Sequence, residues 1–200
     1  LVSCLASYAQ PLPPVRLCAE WEPARGTLIR WPLGIPYSLV RELAEDDSLY
    51  LLTENSQEPI QAYDNFAQQD VNLDHCRFLM ADTYSHWTRD WGPVSIFDGH
   101  EEWAIVDPLF AGYPWVPGGA RWWEEDDAVN AVLGGYFGCE VHQLPAYFTG
   151  GNIMTDGHGT GFSTLQMINE NLPLMDQTAF VELVETYTGI DNYIFTNNIE

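Results

Sequence analysis

The stretch at residues 81–98, ADTYSHWTRDWGPVSIFD, sets Arg89 and Asp90 between Trp87 and Trp91 and follows them with Gly92-Pro93. Charged side chains seldom sit among large apolar rings unless they are paired or used. The residues before it, CRFLMAD (76–82), read as a strand, and WGPVSIFDG (91–99) reads as another. The charged segment therefore lies at a strand-to-strand junction, where loops present functional groups from a rigid frame. On the residues alone, Arg89 and Asp90 read either as a structural ion pair or as part of a site, and Trp87 and Trp91 either as core or as the wall of one.

Outward from this segment, strands and helices alternate, which makes the chain α/β. TLIRWP (27–32), SLYLLTE (48–54) and CRFLMAD (76–82) are β-rich. Between them YSLVRELAED (37–46) has helical spacing, and PIQAYDNFAQQ (59–69) opens with proline at a helix start. A second round pairs WGPVSIFDG with EEWAIVDPLF (101–110) across Asp98-Gly99-His100, then a loop at 111–123, a helix at 124–138 and a strand at 140–145. A third round has a hairpin, NIMTD (152–156) with GFSTL (161–165), a helix at 175–189 capped by Asp176 and ended by Gly189, and a strand at 192–197. Units of about 50 to 70 residues thus repeat hairpin, helix, strand, a period suited to a ring of supersecondary units. No linker divides them, so residues 15–200 read as one domain. The last strand reaches Glu200 with no covering helix, and the expectation is a chain cut short at both ends, with an open edge that would favour self-association.

Residues 1–14, LVSCLASYAQPLPP, read as an extended N-terminal segment or a signal remnant. Ser7-Tyr8-Ala9 fits an export cleavage site and Leu1 to Cys4 fits a lipoprotein acylation box; the alternative is an ordinary tail on a cytoplasmic chain. No apolar run is long enough to span a bilayer. The net charge is -22 and all 7 basic residues are arginine, a balance that repels phosphate backbones, argues against nucleic acid, and draws cations.

Other motifs have bland readings. Cys4, Cys18, Cys76 and Cys139 lack CxxC spacing, so neither a zinc site nor a disulfide framework is indicated, and buried free thiols are expected. The five histidines show no metal-binding pairing. EEDD (124–127) reads as a solvated helix start, DGHGTG (156–161) as a hairpin turn, and Gly150-Gly151-Asn152 as a plain turn or a place of close backbone approach.

Three stretches, AEWEPARGTLIRWPLG (19–34), ADTYSHWTRDWGPVSIFD (81–98) and TGGNIMTDGHGTGFST (149–164), resemble the family of agmatine deiminases and bacterial (porphyromonas-type) peptidylarginine deiminases, in order and in separation. The resemblance runs from about Val15 to the end, and its specific core is W-T-R-D-W-G-P. It implies an incomplete α/β propeller (pentein-like) of ββαβ units, with about three of five blades present. It implies hydrolysis of a guanidino group: a cysteine thiolate attacks the guanidinium carbon, ammonia leaves, and water releases a ureido product. No cofactor and no metal are implied. The partner would be a small cationic guanidino substrate or an arginine side chain.

By position in that motif Asp90 is the first substrate-holding carboxylate, catalytic and substrate-binding, and Trp87 is the substrate-binding aromatic that packs on the aliphatic stem. A carboxylate suits the task because it accepts two N–H bonds from a planar cation. The reading requires the Asp90 side chain to face inward. Arg89 is expected to pair with a carboxylate and orient the loop. The family's His-x-Asp and late cysteine have no match here, so the 200 residues alone should not turn over. The peptidylarginine branch carries arginines where this chain has PLFAGYPWVPGG (108–119), which favours agmatine, although Arg121 lies close by. Two other readings are an inactive guanidinium-binding or structural module and an aromatic-rich sugar binder; the W-T-R-D-W-G-P core speaks against the second.

Overall fold

The computed structural model describes residues 9–112 and 123–197. The export and acylation signals in residues 1–8, most of the loop at 111–123 with Arg121, and the final residues 198–200 lie outside the described residues.

Each unit is one sheet. In the first, β2 (Thr27–Arg30), β3 (Leu49–Thr53) and β4 (Cys76–Met80) run parallel in the order β2-β3-β4. The helices α1 (Tyr37–Asp46) and α2 (Glu58–Gln68) are the crossovers that parallel pairing demands. Strand β3, LYLLT, is a continuous apolar run and buried on both faces, as the central strand of a covered parallel sheet must be. Val40 and Ala44 lie one turn apart on α1, and with Phe66 of α2 they close over Ile29 and Leu51.

The second sheet has the order β1-β5-β6-β7, formed by β1 (Arg16–Leu17), β5 (Val94–Phe97), β6 (Trp103–Leu109) and β7 (Val141–Tyr147). β5 and β6 make an antiparallel hairpin, and β7 returns parallel to β6 after α4 (Trp123–Asp127) and α5 (Val129–Phe137). Asp98 Oδ1 accepts the N–H groups of His100 and Glu102 at 2.9 and 3.0 Å and fixes the turn. In the third sheet β8 (Met154–Thr155) pairs antiparallel with β9 (Thr160–Thr164), and β10 (Asn192–Thr196) is parallel to β9. The crossover holds α6 (Gln166–Asn171) and α7 (Gln177–Thr188). α7 starts and stops as read: the Asp176 side chain accepts Ala179 N–H at 2.9 Å, and Gly189 ends it in the left-handed region at φ 71°.

The second and third units follow hairpin, helix, strand. The first departs from that expectation, because its three strands are all parallel and contain no hairpin. The short strand preceding it, β1, joins the second sheet instead, antiparallel to β5. Residues 9–14 form no strand; Leu12 C=O accepts Gly99 N–H at 2.6 Å and Ala9 C=O lies 3.0 Å from His142 Nδ1, so the segment lies along the second unit.

The apolar clusters join the units. Leu52, Leu79, Trp91, Ile105 and Leu133 bury the first sheet against the second, and Ile96, Val106, Phe148, Phe180 and Tyr187 bury the second against the third. Each of these two clusters draws side chains from neighbouring sheets, so side-chain burial fixes how those sheets sit together.

Candidate active site

The junction segment folds as the single-turn helix α3 (Thr88–Trp91), wedged between the first and third units. Trp91 is buried, and its Nε1–H donates to Ser85 Oγ at 2.8 Å, so its ring belongs to the core. Thr88 Oγ1 donates to Leu28 C=O at 3.1 Å and ties the turn to β2. A side chain at Gly92 would collide with Thr88 C=O, which explains glycine at the end of this turn. Arg89 donates Nη2 to Glu20 Oε1 at 2.6 Å and to Ile153 C=O at 3.0 Å. It therefore pairs with a carboxylate and orients the turn, as expected.

Trp87 and Asp90 stand at the two ends of one turn, since Asp90 N–H donates to Trp87 C=O at 2.9 Å. The Trp87 indole is 55% exposed and lies against the His86 ring, with centroids 4.7 Å apart. Asp90 is half-buried, and its Oδ1 accepts the Gly151 N–H at 3.1 Å. The sequence TGG (149–151) makes this possible. A Cβ on Gly150 would run into Arg89 C=O, and a Cβ on Gly151 into Asp90 Oδ1. Of the two readings of this glycine pair, close backbone approach is the one the structure has.

Thr149, at the other end of the same turn, donates Oγ1–H to Glu170 Oε2 at 3.1 Å. Two carboxylates thus hold one three-residue turn from its two ends. Burial raises the Glu170 carboxyl to about 7; hydrogen bonds from Thr149 and Gln166 oppose the rise and the Asp90 charge adds to it. Its Oε1 is buried with no hydrogen bond of its own.

The loop that carries Trp87 is held from below by Asp126. Its carboxylate accepts Tyr84 N–H at 2.7 Å and Ser85 N–H at 3.2 Å, and Asp126 is only 2% exposed. Asp127 Oδ1 accepts Phe110 N–H at 2.6 Å. The acidic run at 124–127 is therefore a solvated helix start only at Glu124 and Glu125; its second half anchors two loops. Neither Asp126 nor Glu170 carries a motif. Their signal is burial, which one sequence does not display.

A cavity of about 660 Å³ lies where the three units meet, lined among others by Arg89, Gly92, Gly150, Trp103 and Phe137. Asp90 and Trp87 are not part of its wall. The binding chemistry of the motif and this concavity thus use different faces of α3. Among the described residues no group of three or more His, Cys, Asp or Glu could hold a metal ion, and no helix is long and apolar enough to cross a membrane. Burial pushes the thiols of Cys18 (to about 11), Cys76 and Cys139 up, which leaves them protonated and weakly nucleophilic.

What Asp90, Trp87 and the TGG turn can do together is bind a flat cation: a carboxylate held through Oδ1, a neighbouring indole, and an acidic protein around them. Comparison with known proteins bears on which cation. The agmatine deiminase of Ectopseudomonas mendocina is 26% identical over 194 residues, covering 88% of this chain and 51% of that protein. A solved C. jejuni agmatine deiminase with substrate bound superposes with a TM-score of 0.75 at 20% identity over 92% of this chain and 56% of that one. For the Enterococcus faecalis agmatine deiminase the TM-score is 0.76 at 17% identity, over 92% of this chain and 53% of that one. These likenesses establish the fold as a pentein-type α/β propeller, of which the three sheets are successive units. The chain spans about half the length of these relatives. The model of the Porphyromonas-type peptidyl-arginine deiminase family matches residues 16–198, and the chain belongs to that family.

Proposed function

We propose that the chain is the cation-holding part of a guanidine deiminase, which hydrolyses a guanidino group to a ureido group and ammonia, with agmatine as the substrate. The observation that carries this reading is the Gly151 N–H to Asp90 Oδ1 bond, which fixes a carboxylate beside an exposed indole on one turn. Asp90 binds the guanidinium N–H groups and is the catalytic residue of this part. Trp87 packs on the aliphatic stem. Residues 15–200 form the N-terminal part of the deiminase propeller domain, with residues 1–14 as an extended lead-in. Agmatine has no carboxylate, and none of the described residues beside Asp90 and Trp87 offers an arginine for one, since Arg89 is engaged by Glu20 and Ile153.

The described cysteines favour a division of labour. Their thiols are raised rather than activated, which supports a nucleophile that is none of Cys18, Cys76 and Cys139, and with no match here to the family's late cysteine the 200-residue chain is expected to bind without turnover. Calorimetry of the 200-residue chain with agmatine tests the reading. Saturable 1:1 binding is expected, weakened at least about tenfold by Asp90→Ala, the cost of a lost charged hydrogen bond. Equal binding by wild type and D90A would overturn it. The alternative, an inactive guanidinium-binding or structural module, is favoured by the same unactivated thiols. It predicts binding with no ureido product from any longer product of the gene.

A further inference from the structure

We propose that Glu170 is a positioning residue of the cation site, and that a guanidinium seated on Asp90 exchanges with the proton held by Glu170. The inference rests on the guanidinium reading of Asp90. Its geometric basis is the TGG turn: Gly151 N–H is held by Asp90 and Thr149 Oγ1–H by Glu170, so both carboxyl groups lean on one short segment, at positions with a single residue between them.

Two carboxylates so placed cannot both be charged cheaply. Glu170 is the more enclosed, with Oε1 buried and unbonded, so it is the one that keeps the proton. The groups that act on it are Thr149 at the end of the second unit, Gln166 on its own helix and Asp90 on α3, and of these Asp90 alone is charged. The Asp90 charge therefore acts against a second charge on Glu170. Burial is the larger reason Glu170 keeps its proton and the Asp90 charge the smaller; a guanidinium seated on Asp90 offsets the smaller and itself attracts a charged Glu170, so that Glu170 gives up its proton to solvent. The second carboxylate strengthens the hold on the cation and, through Thr149, stiffens the turn that presents Gly151 to Asp90.

The test is calorimetry of the 200-residue chain with agmatine at pH 7, in buffers of different ionisation enthalpy. Wild type should release about half a proton per agmatine, because a carboxyl with a value near 7 is half protonated there. Its affinity should rise up to about tenfold between pH 6 and pH 8, as linkage to a single group requires. E170Q should bind with no proton release and no such pH dependence. Carbon-13 titration of the Glu170 carboxyl in the wild-type chain is the second measurement: agmatine should lower its midpoint by about one unit or more. Binding without proton release, or a midpoint that agmatine leaves in place, overturns the exchange while the guanidinium reading stands. Absence of agmatine binding by wild type overturns both.

Discussion

The backbone N–H of Gly151 and the side chain of Asp90 are bonded at 3.1 Å across 61 residues of sequence, and there is no room between them for a side chain at position 151. The bond joins the third unit to the turn that carries the site. Gly151→Ala should therefore swing the Asp90 carboxylate away and weaken agmatine binding about tenfold or more, the worth of a charge-assisted hydrogen bond. The melting temperature should fall little, because a short side chain is what yields. Gly150→Ala should behave oppositely. Its Cβ meets Arg89 C=O, which is backbone, so the units must move apart at about 1–3 kcal/mol of stability. Thermal melts and calorimetry of the two variants separate the effects. If G151A bound agmatine like wild type, Gly151 would have no part in holding Asp90.

Much of this was legible in one sequence, for a physical reason. Wherever a residue's role is decided by its neighbours in the chain, the reading holds: the Asp176 cap, the Gly189 stop, the Asp98 and Asp156 hairpin turns, and the helix at α2 opened by Pro59. Where the role is decided across the chain, it fades. Whether TLIRWP would find a hairpin partner or a parallel one depends on α1 packing over it, and the structure pairs it in parallel with β3. The helix read at 124–138 divides at Ala128, and α6, with Glu170, lies in a stretch read as having no element. A carboxylate becomes special by losing water, and neither Glu170 nor Asp126 shows in sequence which side chains will cover it.

Buried carboxyls set the pH dependence of stability. Burial raises Asp107 from 3.8 to about 6 and Glu170 from 4.5 to about 7. The folded state thus binds protons more tightly than the unfolded one. This contribution is fully present below the ordinary values and is lost as pH rises through 6 and 7. The chain should melt at lower temperature at pH 8 than at pH 5, with a difference on the order of 1–3 kcal/mol from each group. Self-repulsion of a chain of charge -22 acts in the same direction. Asp107→Asn isolates one part. Asp107 Oδ1 accepts the Asn130 amide at 2.9 Å, and a neutral amide oxygen can do the same. D107N should be more stable than wild type at pH 8, more stable by a smaller margin at pH 5, and equal to it only below the ordinary carboxyl value of 3.8. A stability curve for D107N that runs parallel to wild type from pH 5 to pH 8 would show that Asp107 does not titrate in this window.

The four acids at 124–127 offer a controlled comparison, since they share a charge and a helix but not an environment. Asp126 is enclosed and bonded to Tyr84 and Ser85; Glu124 and Glu125 are exposed. Asp126→Ala leaves two amide hydrogens without their acceptor, at about 1–3 kcal/mol each when they remain buried. Because those amides precede Trp87 by two and three residues, the loop should loosen and agmatine affinity should fall with stability. Asn at this position keeps one acceptor oxygen for Tyr84 N–H, the shorter bond at 2.7 Å, and should lie between wild type and D126A in both measurements. E124A and E125A should stay within about 0.5 kcal/mol of wild type, as exposed substitutions do. If melts placed D126A with E124A and E125A, the acidic run would be a solvated helix start after all, and the support of the Trp87 loop would have to come from Arg30, which donates Nε to Thr83 Oγ1 at 2.8 Å and Nη2 to Thr83 C=O at 2.6 Å on the other side of that loop.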